Sequence, residues 1–287
     1  MNTGDLMDSA SRYGATVVAS KRITPVDADT EVREVVFDVD CPDMALEVGQ
    51  SIGIIPDGAP ELGESDHTRL YSIADLPDRG ASGHPRVAIC VRRFVTPGGP
   101  GGTPRQGITS NFLCGLQPGD TFQTTGQQGL PFGVPSDMDA TLILIGTGTG
   151  IAPFRALVRH IYTKVPEWRG RIWVFHGAKR GLELLYANEP QSDAGHYYDK
   201  ETFEAFQALS PRPNWADPMA WDLAFVERGE ELLKMFADPK TYVYVAGLKQ
   251  IRDQLDALFE TLTGEDEEWA DRKGALVADG RWVEVLY

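Results

Sequence analysis

The chain has 287 residues, 42% of them hydrophobic, and its 42 acidic residues outnumber its 27 lysines and arginines to give a net charge of −15. This length suggests about two domains with a sizeable core. The acidity argues against a general nucleic-acid binder, whose affinity depends on neutralising phosphates. The three cysteines, Cys41, Cys90 and Cys114, lack the spacing of an iron–sulfur or zinc site. Such a sparse set is typical of a reducing compartment.

The remaining exclusions concern metals and membranes. The five histidines show no ligand spacing, so we predict no metal site. The first dozen residues contain two aspartates and no apolar segment, which is unlike a signal or transit peptide. No stretch is apolar for long enough to span a bilayer. We therefore expect a cytoplasmic protein without a membrane span.

The N-terminal part, from Gly14 to about Gln128, contains short β-branched runs separated by turn residues. This pattern, with one short helix predicted at Ser110–Gly115, is typical of a small antiparallel barrel. The predicted strands are Ala15–Ser20, Val32–Val39, Ser51–Ile55, Leu70–Ile73, Arg86–Arg93 and Thr121–Thr125.

From Ala140 onward, apolar strands alternate with helical stretches, which indicates a parallel sheet covered on both faces. The predicted strands are Leu142–Ile145, Arg171–His176, Asp222–Val226 and Thr241–Ala246. The predicted helices are Phe154–Lys164, Lys200–Leu209, Gly229–Ala237 and Lys249–Thr263. The predicted fold is therefore an antiparallel β-barrel over residues 1–137 and a parallel-sheet α/β domain of the nucleotide-binding type over residues 138–287.

The segment Thr141–Phe154, TLILIGTGTGIAPF, reads as a buried strand, a glycine-rich turn and the start of a helix. Such a turn presents unpaired N–H groups and the positive end of the helix dipole, which suits a phosphate. A tight strand-to-helix turn can also require glycines without any ligand. This motif alone therefore predicts a phosphate site only weakly.

A second set of features lies in the barrel. In Arg69–Ile73, RLYSI, alternation along a strand places Arg69 and Tyr71 on one face, where an arginine fork suits a pyrophosphate and a tyrosine suits a flat ring. The other reading is an ordinary barrel strand with an exposed arginine. Cys90–Arg93 is a further basic segment, and Gly107–Leu113 is a turn that opens a helix, again suited to an anion. Together these features point to two nucleotides rather than one.

Six ordered motifs resemble those of the plant-type ferredoxin–NADP⁺ reductase family. They are RLYSI, CVRR, GITSNFL, GTGTGIAPFR, YVYVAGLK and a C-terminal tyrosine, within a match that runs from about Gly14 to Tyr287. The resemblance implies an FAD-binding antiparallel barrel followed by an NADP-binding α/β domain, in agreement with the periodicity.

For the first domain, the resemblance implies FAD contacts along the RxYS strand. Arg69 would bind the FAD pyrophosphate, Tyr71 would stack on the isoalloxazine, and Ser72 would lie near flavin N5, where hydride arrives. The other residues to which the family motifs assign FAD contacts are Leu70, Cys90, Val91, Arg92, Gly107, Ile108, Thr109 and Ser110.

For the second domain, the resemblance implies a site for NADPH or NADH. Gly148, Thr149 and Gly150 would face the pyrophosphate and the nicotinamide. Tyr287 would cover the flavin until the nicotinamide displaces it, so the residues predicted to be catalytic are Ser72 and Tyr287.

The chain departs from the family where hydride transfer takes place. Ala246 and Gly247 are the cofactor-binding positions of YVYVAGLK, but the family usually has cysteine at position 246, so we expect slower or differently poised hydride transfer. At the C-terminus, the family's acidic position falls on Val285, and Glu284 is displaced by one. Because a one-residue shift on a strand turns a side chain to the other face, we expect Glu284 to point away from the flavin.

A third departure concerns the adenosine 2′-phosphate. The family binds it with a Ser-Arg pair and a Lys-x-Tyr loop, which would follow the strand predicted at Asp222–Val226. Here Glu227-Arg228 follows at once, and an acidic residue suits a ribose diol and repels a phosphate. This alignment predicts that NADH is used or that nicotinamide binding is weak or lost. An alternative alignment puts the pair at Ser210 and Arg212, but removes that strand from the sheet.

The leading hypothesis is an FAD-dependent oxidoreductase that transfers electrons between NAD(P)H and a one-electron protein carrier. This carrier would be ferredoxin, flavodoxin or an oxygenase component, because the chain has no cluster of its own. The alternative is an FAD-carrying electron-transfer module of a larger complex that has weakened or lost NADP(H) binding. A binding protein without flavin is opposed by the intact Arg69, Tyr71 and Ser72.

Overall fold

The computed structural model of the chain describes residues 11–56, 67–96, 103–187, 201–210, 219–264 and 266–287. The chain divides into two compact units, Met1–Leu130 (unit 1) and Pro131–Tyr287 (unit 2). The boundary expected from the sequence lies seven residues later, between residues 137 and 138.

Unit 1 is a β-structure with one helix, α1 (Ile108–Gly115), among its described residues. Its strands are β1 (Arg12–Arg22), β2 (Val32–Val39), β3 (Ser51–Ile55), β4 (Arg69–Ser72), β5 (Asp78–Arg79), β6 (Pro85–Arg92), β7 (Val95–Thr96), β8 (Arg105–Gln106) and β9 (Thr121–Gln128). All strand pairs are antiparallel, in the order β4-β3-β9-β1-β2-β6-β5, with β7 and β8 as a separate hairpin.

The large sheet of unit 1 curls back on itself. Ile73, directly after β4, forms an antiparallel bridge with Ile89 of β6, and the Ala74 N–H donates to the Ala88 carbonyl at 2.8 Å. This closure turns the side chains of alternate residues inward, so that Val35 and Phe37 of β2 are fully buried. The predicted antiparallel barrel is thereby confirmed.

Unit 2 is a five-stranded parallel sheet with helices on both faces. Its strands are β10 (Thr141–Thr147), β11 (Ile172–Ala178), β12 (Phe203–Leu209), β13 (Thr241–Gly247) and β14 (Trp282–Leu286). Its helices are α2 (Ile151–Lys164), α3 (Trp221–Phe225), α4 (Gly229–Ala237), α5 (Gln250–Thr263) and α6 (Asp266–Ala278), with 3₁₀ turns at Gly148–Gly150, Gly181–Glu183 and Val226–Arg228.

The strand order of unit 2 is β12-β11-β10-β13-β14. Leu142–Ile145 of the central strand β10 are all fully buried, because α2 covers one face and α3 to α6 cover the other. The predicted α/β architecture is confirmed. In the ranges described, no helix combines the length and the apolarity that crossing a membrane requires.

Two local predictions in unit 2 are wrong, because a predicted helix is a strand and a predicted strand is a helix. The stretch predicted as a helix at Lys200–Leu209 contains strand β12, and the strand predicted at Asp222–Val226 is helix α3. Phe203–Leu209 is rich in helix formers, but seven parallel pairs with β11 fix it as a strand. In α3, the buried Trp221, Ala224 and Phe225 lie at helical spacing.

This exchange overturns the argument against a 2′-phosphate site, which placed Glu227-Arg228 directly after a strand of the sheet. Glu227 lies in the 3₁₀ turn Val226–Arg228 after a helix, and no sheet strand precedes it directly. The residue that follows the corresponding strand is Ser210, directly after β12. The objection to the alternative alignment therefore disappears, although Arg212 lies outside the described residues.

Candidate dinucleotide sites

A cavity of about 500 Å³ opens in unit 1 where β4 meets the start of α1. Its lining residues are His67, Arg69, Tyr71, Phe94, Gly107, Ile108, Thr109 and Ser110. The structure thus brings together two motifs that lie about forty residues apart in the sequence. No acidic side chain is among these lining residues.

Strand β4 positions the first motif. Its pairing with β3 sets Tyr71 opposite Ile52 and Ser72 opposite Ser51. Arg69 and Tyr71 share the cavity, as alternation predicts, whereas Leu70 is 48% exposed and Ser72 Oγ lies 3.4 Å from Ser51 Oγ. Burial raises the pKa of the Tyr71 phenol above its ordinary value, so the hydroxyl stays protonated.

The start of α1 supplies backbone donors. Gly107 is the N-cap, with no side-chain cap bond and no acidic residue in the first turn. Its N–H groups and the positive end of the dipole therefore remain suited to an anion. A Cβ at Gly107 would lie 3.0 Å from Ser110 Oγ and 3.3 Å from the Phe94 side chain, so a larger residue would crowd this turn.

Arg93 holds α1 in place. Its guanidinium donates to Glu31 Oε2 at 2.7 Å, to Asn111 Oδ1 at 3.1 Å and to the Cys114 carbonyl at 2.9 Å. The Arg93 hydrogen bond, together with Arg33 and despite burial, lowers the pKa of Glu31 to about 2. This arginine of the CVRR segment therefore fixes the helix that borders the cavity.

The other residues of the CVRR segment do not line this cavity. Cys90 and Val91 are buried in the barrel, and Arg92 is exposed at the end of β6. Only the backbone of Val91 could reach a ligand, because its side chain is fully enclosed.

The unit 1 cavity has the chemistry that a flavin dinucleotide requires. An arginine and an uncapped helix start suit a pyrophosphate, and the two aromatic residues Tyr71 and Phe94 suit flat rings. The Nε2 atom of His67 is buried and has no hydrogen-bond partner among the described residues. The residues present therefore fit FAD.

In unit 2, the glycine-rich loop lies where β10 and β13 end. Gly148 is exposed, has φ +52°, and a Cβ there would meet nothing within 4 Å. Gly150 is buried, and a Cβ there would clash with the carbonyl of Ala246. Gly247 has φ +143°, and its Cβ would clash with Thr147 Oγ1. The glycines thus have two roles: Gly148 leaves its backbone open, while Gly150 and Gly247 allow the end of β10 and the turn after it to pack closely against the end of β13.

The C-terminal Tyr287 is bonded to this loop. Its hydroxyl lies 2.6 Å from Thr149 Oγ1, and its N–H donates to the Gly247 carbonyl at 3.1 Å. The side chain remains 54% exposed. The structure therefore gathers Thr149, Gly247 and Tyr287, which the sequence predicted as one site.

The two positions where the chain departs from the family are neighbours. Ala246 of β13 pairs with Val285 of β14, so two apolar residues are paired at the positions where the motif resemblance implies a cysteine and an acid. Glu284 instead accepts hydrogen bonds from Arg252 Nε at 2.6 Å and Trp282 Nε1 at 2.7 Å.

Glu284 is held as a carboxylate in this cluster. Its carboxylate also lies 3.2 Å from Lys273 Nζ, and its side chain is 12% exposed. Burial raises the pKa of Glu284, but the bonds from Trp282 and Arg252 and the charge of Lys273 outweigh it, and the pKa lies below its ordinary value. Its hydrogen-bonding capacity is therefore directed into α5 and α6.

Basic and polar residues follow two adjacent strands of the unit 2 sheet. Ala178 of β11 pairs with Leu209 of β12, so Lys179 and Ser210 leave the sheet at the same edge. Lys179 is exposed, and Ser210 is buried. Sequence reasoning missed Lys179, as it missed His67 and Phe94 of unit 1. His67 was judged there only by metal-ligand spacing.

Comparisons with known proteins agree with this architecture. Residues 144–256 match the family model described as the oxidoreductase NAD-binding domain. The chain is 32% identical over 279 residues to the chloroplastic ferredoxin–NADP reductase, leaf isozyme 1, of Arabidopsis thaliana, covering 96% of this chain and 77% of that protein. It is 34% identical over 283 residues to the corresponding leaf isozyme 1 of Oryza sativa subsp. japonica, covering 96% and 76%.

Solved structures show the same fold. The ferredoxin–NADP⁺ reductase of Plasmodium falciparum superposes with a TM-score of 0.69 at 21% identity, covering 96% of this chain and 97% of that one. Its H286L mutant with 2′P-AMP gives a TM-score of 0.70 at 20% identity, covering 98% and 99%. The chain belongs to the plant-type ferredoxin–NADP⁺ reductase family and is a ferredoxin–NADP reductase-like oxidoreductase with an NAD-binding domain.

Proposed function

We propose that unit 1 binds FAD and unit 2 binds NADPH, and that the protein passes electrons between NADPH and a one-electron carrier such as ferredoxin or flavodoxin. The observation that carries the FAD assignment is the shared cavity of Arg69, Tyr71 and the uncapped start of α1. An arginine fork and backbone N–H groups suit the two charges of a pyrophosphate, and no carboxylate is among the described residues that line the cavity.

A bound flavin supplies the redox chemistry, because it exchanges a hydride with a nicotinamide and single electrons with a protein carrier. The protein's part is to bind and orient. The protonated Tyr71 offers a flat, half-apolar surface, and Ser72 ends the same strand with its hydroxyl near Ser51. In unit 2, Tyr287 stays beside the glycine-rich loop through Thr149.

Two observations support NADPH over NADH. The acidic Glu227, which would favour a ribose diol, does not follow a strand of the sheet. Lys179 and Ser210 follow the paired strands β11 and β12, where a cation and a hydroxyl would suit a 2′-phosphate. We therefore assign the 2′-phosphate to this edge of the sheet.

A second candidate function keeps the FAD but not the reaction with NADPH. It is favoured by the apolar pair Ala246 and Val285, since neither side chain can donate a proton or a hydrogen bond beside the nicotinamide. In that case the chain would be an electron-transfer module of a larger complex.

Anaerobic rapid mixing of the purified yellow protein with NADPH or NADH discriminates between these functions. We expect NADPH to bleach the flavin absorbance, and NADH to do so at least about tenfold more slowly. A Lys179→Ala variant should reduce the difference between the rates at which NADPH and NADH bleach the flavin. If neither nucleotide bleaches the flavin, the reductase function is wrong and the second candidate replaces it.

The FAD site is tested separately by flavin content after gel filtration. Arg69→Ala should lose most of its FAD, because it removes the bidentate phosphate contact. Arg79→Ala is the matched control, since that arginine bonds to the Pro42 and Gly83 carbonyls and does not line the cavity. Full FAD content in Arg69→Ala would contradict the assigned site.

A further inference from the structure

We infer that Thr109 is a positioning residue of the FAD site, whose hydroxyl holds Arg69 in place relative to the start of α1. The inference rests on the proposed FAD site of unit 1. The family motifs assign Thr109 a contact with the cofactor, whereas its hydroxyl has a partner within the protein. Thr109 Oγ1 donates a hydrogen bond to the backbone carbonyl of His67 at 2.5 Å.

This hydrogen bond is not one that the helix itself requires. Gly107 is the N-cap of α1, so Thr109 lies in the first turn, where a threonine hydroxyl ordinarily caps the helix or bonds within it. Thr109 instead bonds to a residue 42 positions earlier in the chain, just before β4 begins. The bond therefore joins the two motifs that border the unit 1 cavity.

The same short segment determines where Arg69 lies. The carbonyl of His67 accepts the bond from Thr109. The next carbonyl, that of Thr68, accepts a hydrogen bond from Arg69 Nη1 at 2.9 Å. Thr68 is buried, while Arg69 is exposed and lines the cavity. Two consecutive peptide groups thus connect the guanidinium to the first turn of α1.

Sheet pairing alone does not fix this arrangement. Strand β4 is the first in the order of the unit 1 sheet, and it pairs with β3 over Arg69–Ser72. His67 and Thr68 precede this paired stretch. Helix α1 packs on the barrel through its other end, where Leu113 belongs to the core. The Thr109 bond therefore ties the unpaired start of β4 to the anion-suited end of the helix.

Binding of a pyrophosphate depends on this tie because two groups must act on it together. An arginine fork and the first N–H groups of a helix each suit a phosphate, and a pyrophosphate joins its two phosphates covalently. A site that already holds both groups in place loses less conformational freedom when the ligand binds. The Thr109 side chain is only 4% exposed, so it acts through these groups.

The test is the affinity of the deflavinated protein for FAD, measured by fluorescence quenching. Thr109→Val removes the hydroxyl and nearly keeps the shape of the side chain. We expect FAD to bind this variant at least about fivefold more weakly, as for the loss of one hydrogen bond. Thr109→Ser restores the hydroxyl and should return the affinity to within about twofold of the wild type.

Thr24→Val is the matched control. Thr24 is also 4% exposed and also donates its hydroxyl to a backbone carbonyl, that of Thr30 at 2.9 Å, but it does not line the cavity. We expect both valine variants to lose unfolding free energy in urea, and only Thr109→Val to lose affinity for FAD. Equal weakening of FAD binding by the two variants would overturn the inference, because destabilisation of unit 1 would then explain it.

Two probes show whether the effect passes through the pyrophosphate. ADP, which carries a pyrophosphate but no flavin, should bind Thr109→Val at least about fivefold more weakly than the wild type. Riboflavin, which carries no phosphate, should bind both proteins equally. In the Arg69→Ala background, Thr109→Val should weaken ADP binding by less than about twofold, because the group that it positions is absent. Weakened riboflavin binding, or an undiminished effect in the Arg69→Ala background, would overturn the inference.

The outcomes distinguish this inference from the proposed function on which it rests. If Arg69→Ala loses FAD while Thr109→Val binds FAD as the wild type does, only the role of Thr109 is wrong. If the wild type binds no FAD, or Arg69→Ala retains it, the proposed site itself is wrong. If Thr109→Val does not fold, Thr109→Ala removes the same hydroxyl without adding a methyl group and carries the same expectations.

Discussion

The two units differ in how completely they retain the motifs of the family. In unit 1, Arg69, Tyr71 and the start of α1 are all present and all line one cavity. In unit 2, the glycine-rich loop is intact, but Ala246 and Val285 stand side by side where the family has a cysteine and an acid. The groups that suit an anion are therefore present in both units, whereas the side chains beside the expected nicotinamide differ from those of the family motif.

This difference separates two kinds of constraint. Phosphate recognition uses backbone N–H groups and glycines, and at Gly150 and Gly247 the glycines are also required for the packing of β10 against β13. Residues that tune a reaction act through single side chains, and these can change without altering the fold. Within unit 2, we therefore expect substitution of the glycines to lower the unfolding free energy. Substitution of Ala246 should instead change the rate of flavin reduction.

The largest effect is expected from Gly150→Ala, because the new Cβ would clash with the backbone carbonyl of Ala246. We expect unit 2 to lose about 2–3 kcal/mol of unfolding free energy, and reduction of the flavin by NADPH to fall at least about 50-fold, because a misplaced phosphate loop disturbs orientation. The FAD content should not change. Tryptophan fluorescence reports this unfolding, since all six tryptophans follow residue 130.

Gly148→Ala is the control for this change. A Cβ at Gly148 meets nothing within 4 Å, and only its φ of +52° is unfavourable, so the expected loss is about 1 kcal/mol. If Gly150→Ala is no less stable than Gly148→Ala, close packing of this turn against the end of β13 is not what requires glycine at position 150.

Glu284→Gln should give the next effect, a loss of about 2 kcal/mol at pH 7, because it breaks a mostly buried ion-pair cluster. The folded-state pKa of Glu284 lies below its ordinary value. The stabilisation is therefore present above the unfolded pKa and is lost as the pH falls through the folded pKa. Urea unfolding followed by tryptophan fluorescence at pH 7 and near pH 3 should show a difference that shrinks in acid.

The surface pair of α6 provides the comparison for Glu284. Glu268 is 49% exposed and bonds to Arg272 at 2.9 Å, and Glu268→Gln should cost no more than about 0.5 kcal/mol. Equal losses in the two variants would show that Glu284 is no more important to unit 2 than an ordinary surface charge.

Ala246→Cys restores the residue usual in the family, and we expect it to raise the rate of flavin reduction by NADPH about three- to tenfold. The larger side chain would restrict the nicotinamide to fewer orientations. Anaerobic stopped-flow absorbance measures the rate, and Ala246→Ser, which is smaller and differently polar, should raise it less. An unchanged rate in both variants would mean that position 246 does not limit hydride transfer in this chain.

The smallest effect is expected at the contact between Thr149 Oγ1 and the Tyr287 hydroxyl, 2.6 Å apart. Thr149→Val removes this one contact of the Tyr287 hydroxyl, so NADP⁺ should bind about two- to threefold more tightly, because one contact fewer must be broken to displace the ring. Tyr287→Phe breaks the same hydrogen bond and should raise the affinity for NADP⁺ to the same extent. In a titration with NADP⁺, the double variant should bind no more tightly than either single variant. If the two gains in affinity were fully additive, the two substitutions would act through separate effects.

Much of the fold could be predicted from the sequence. Val32–Val39 and Ser51–Ile55 have the bounds predicted for them, as does helix α4, because alternation and helical spacing are local properties. The exchange of strand β12 and helix α3 could not be predicted in this way. Phe203–Leu209 prefers a helix locally, and only pairing with β11 outweighs that preference.

The residues of the candidate sites also differ in whether they could be predicted from the sequence. The motifs with Arg69, Tyr71, Gly107 and Gly148 could be recognised because they are short runs of residues that occur in the same order as the motifs of the family, although each alone also has an ordinary structural explanation. The positions of His67 in the lining of the unit 1 cavity and of Lys179 beside the end of β12 could not be predicted, because the neighbouring segments are distant in the sequence.

The sequence by itself determined the two-part architecture, the family and the positions of the motifs that suit a phosphate, since each depends on periodicity or on short runs of residues. The tertiary structure alone decided which strand precedes Ser210, that Glu284 turns into an ion-pair cluster, and that Arg69, Tyr71 and the start of α1 border one cavity. The physical reason is that pairing register, burial and hydrogen-bond partners arise between segments that only folding brings together.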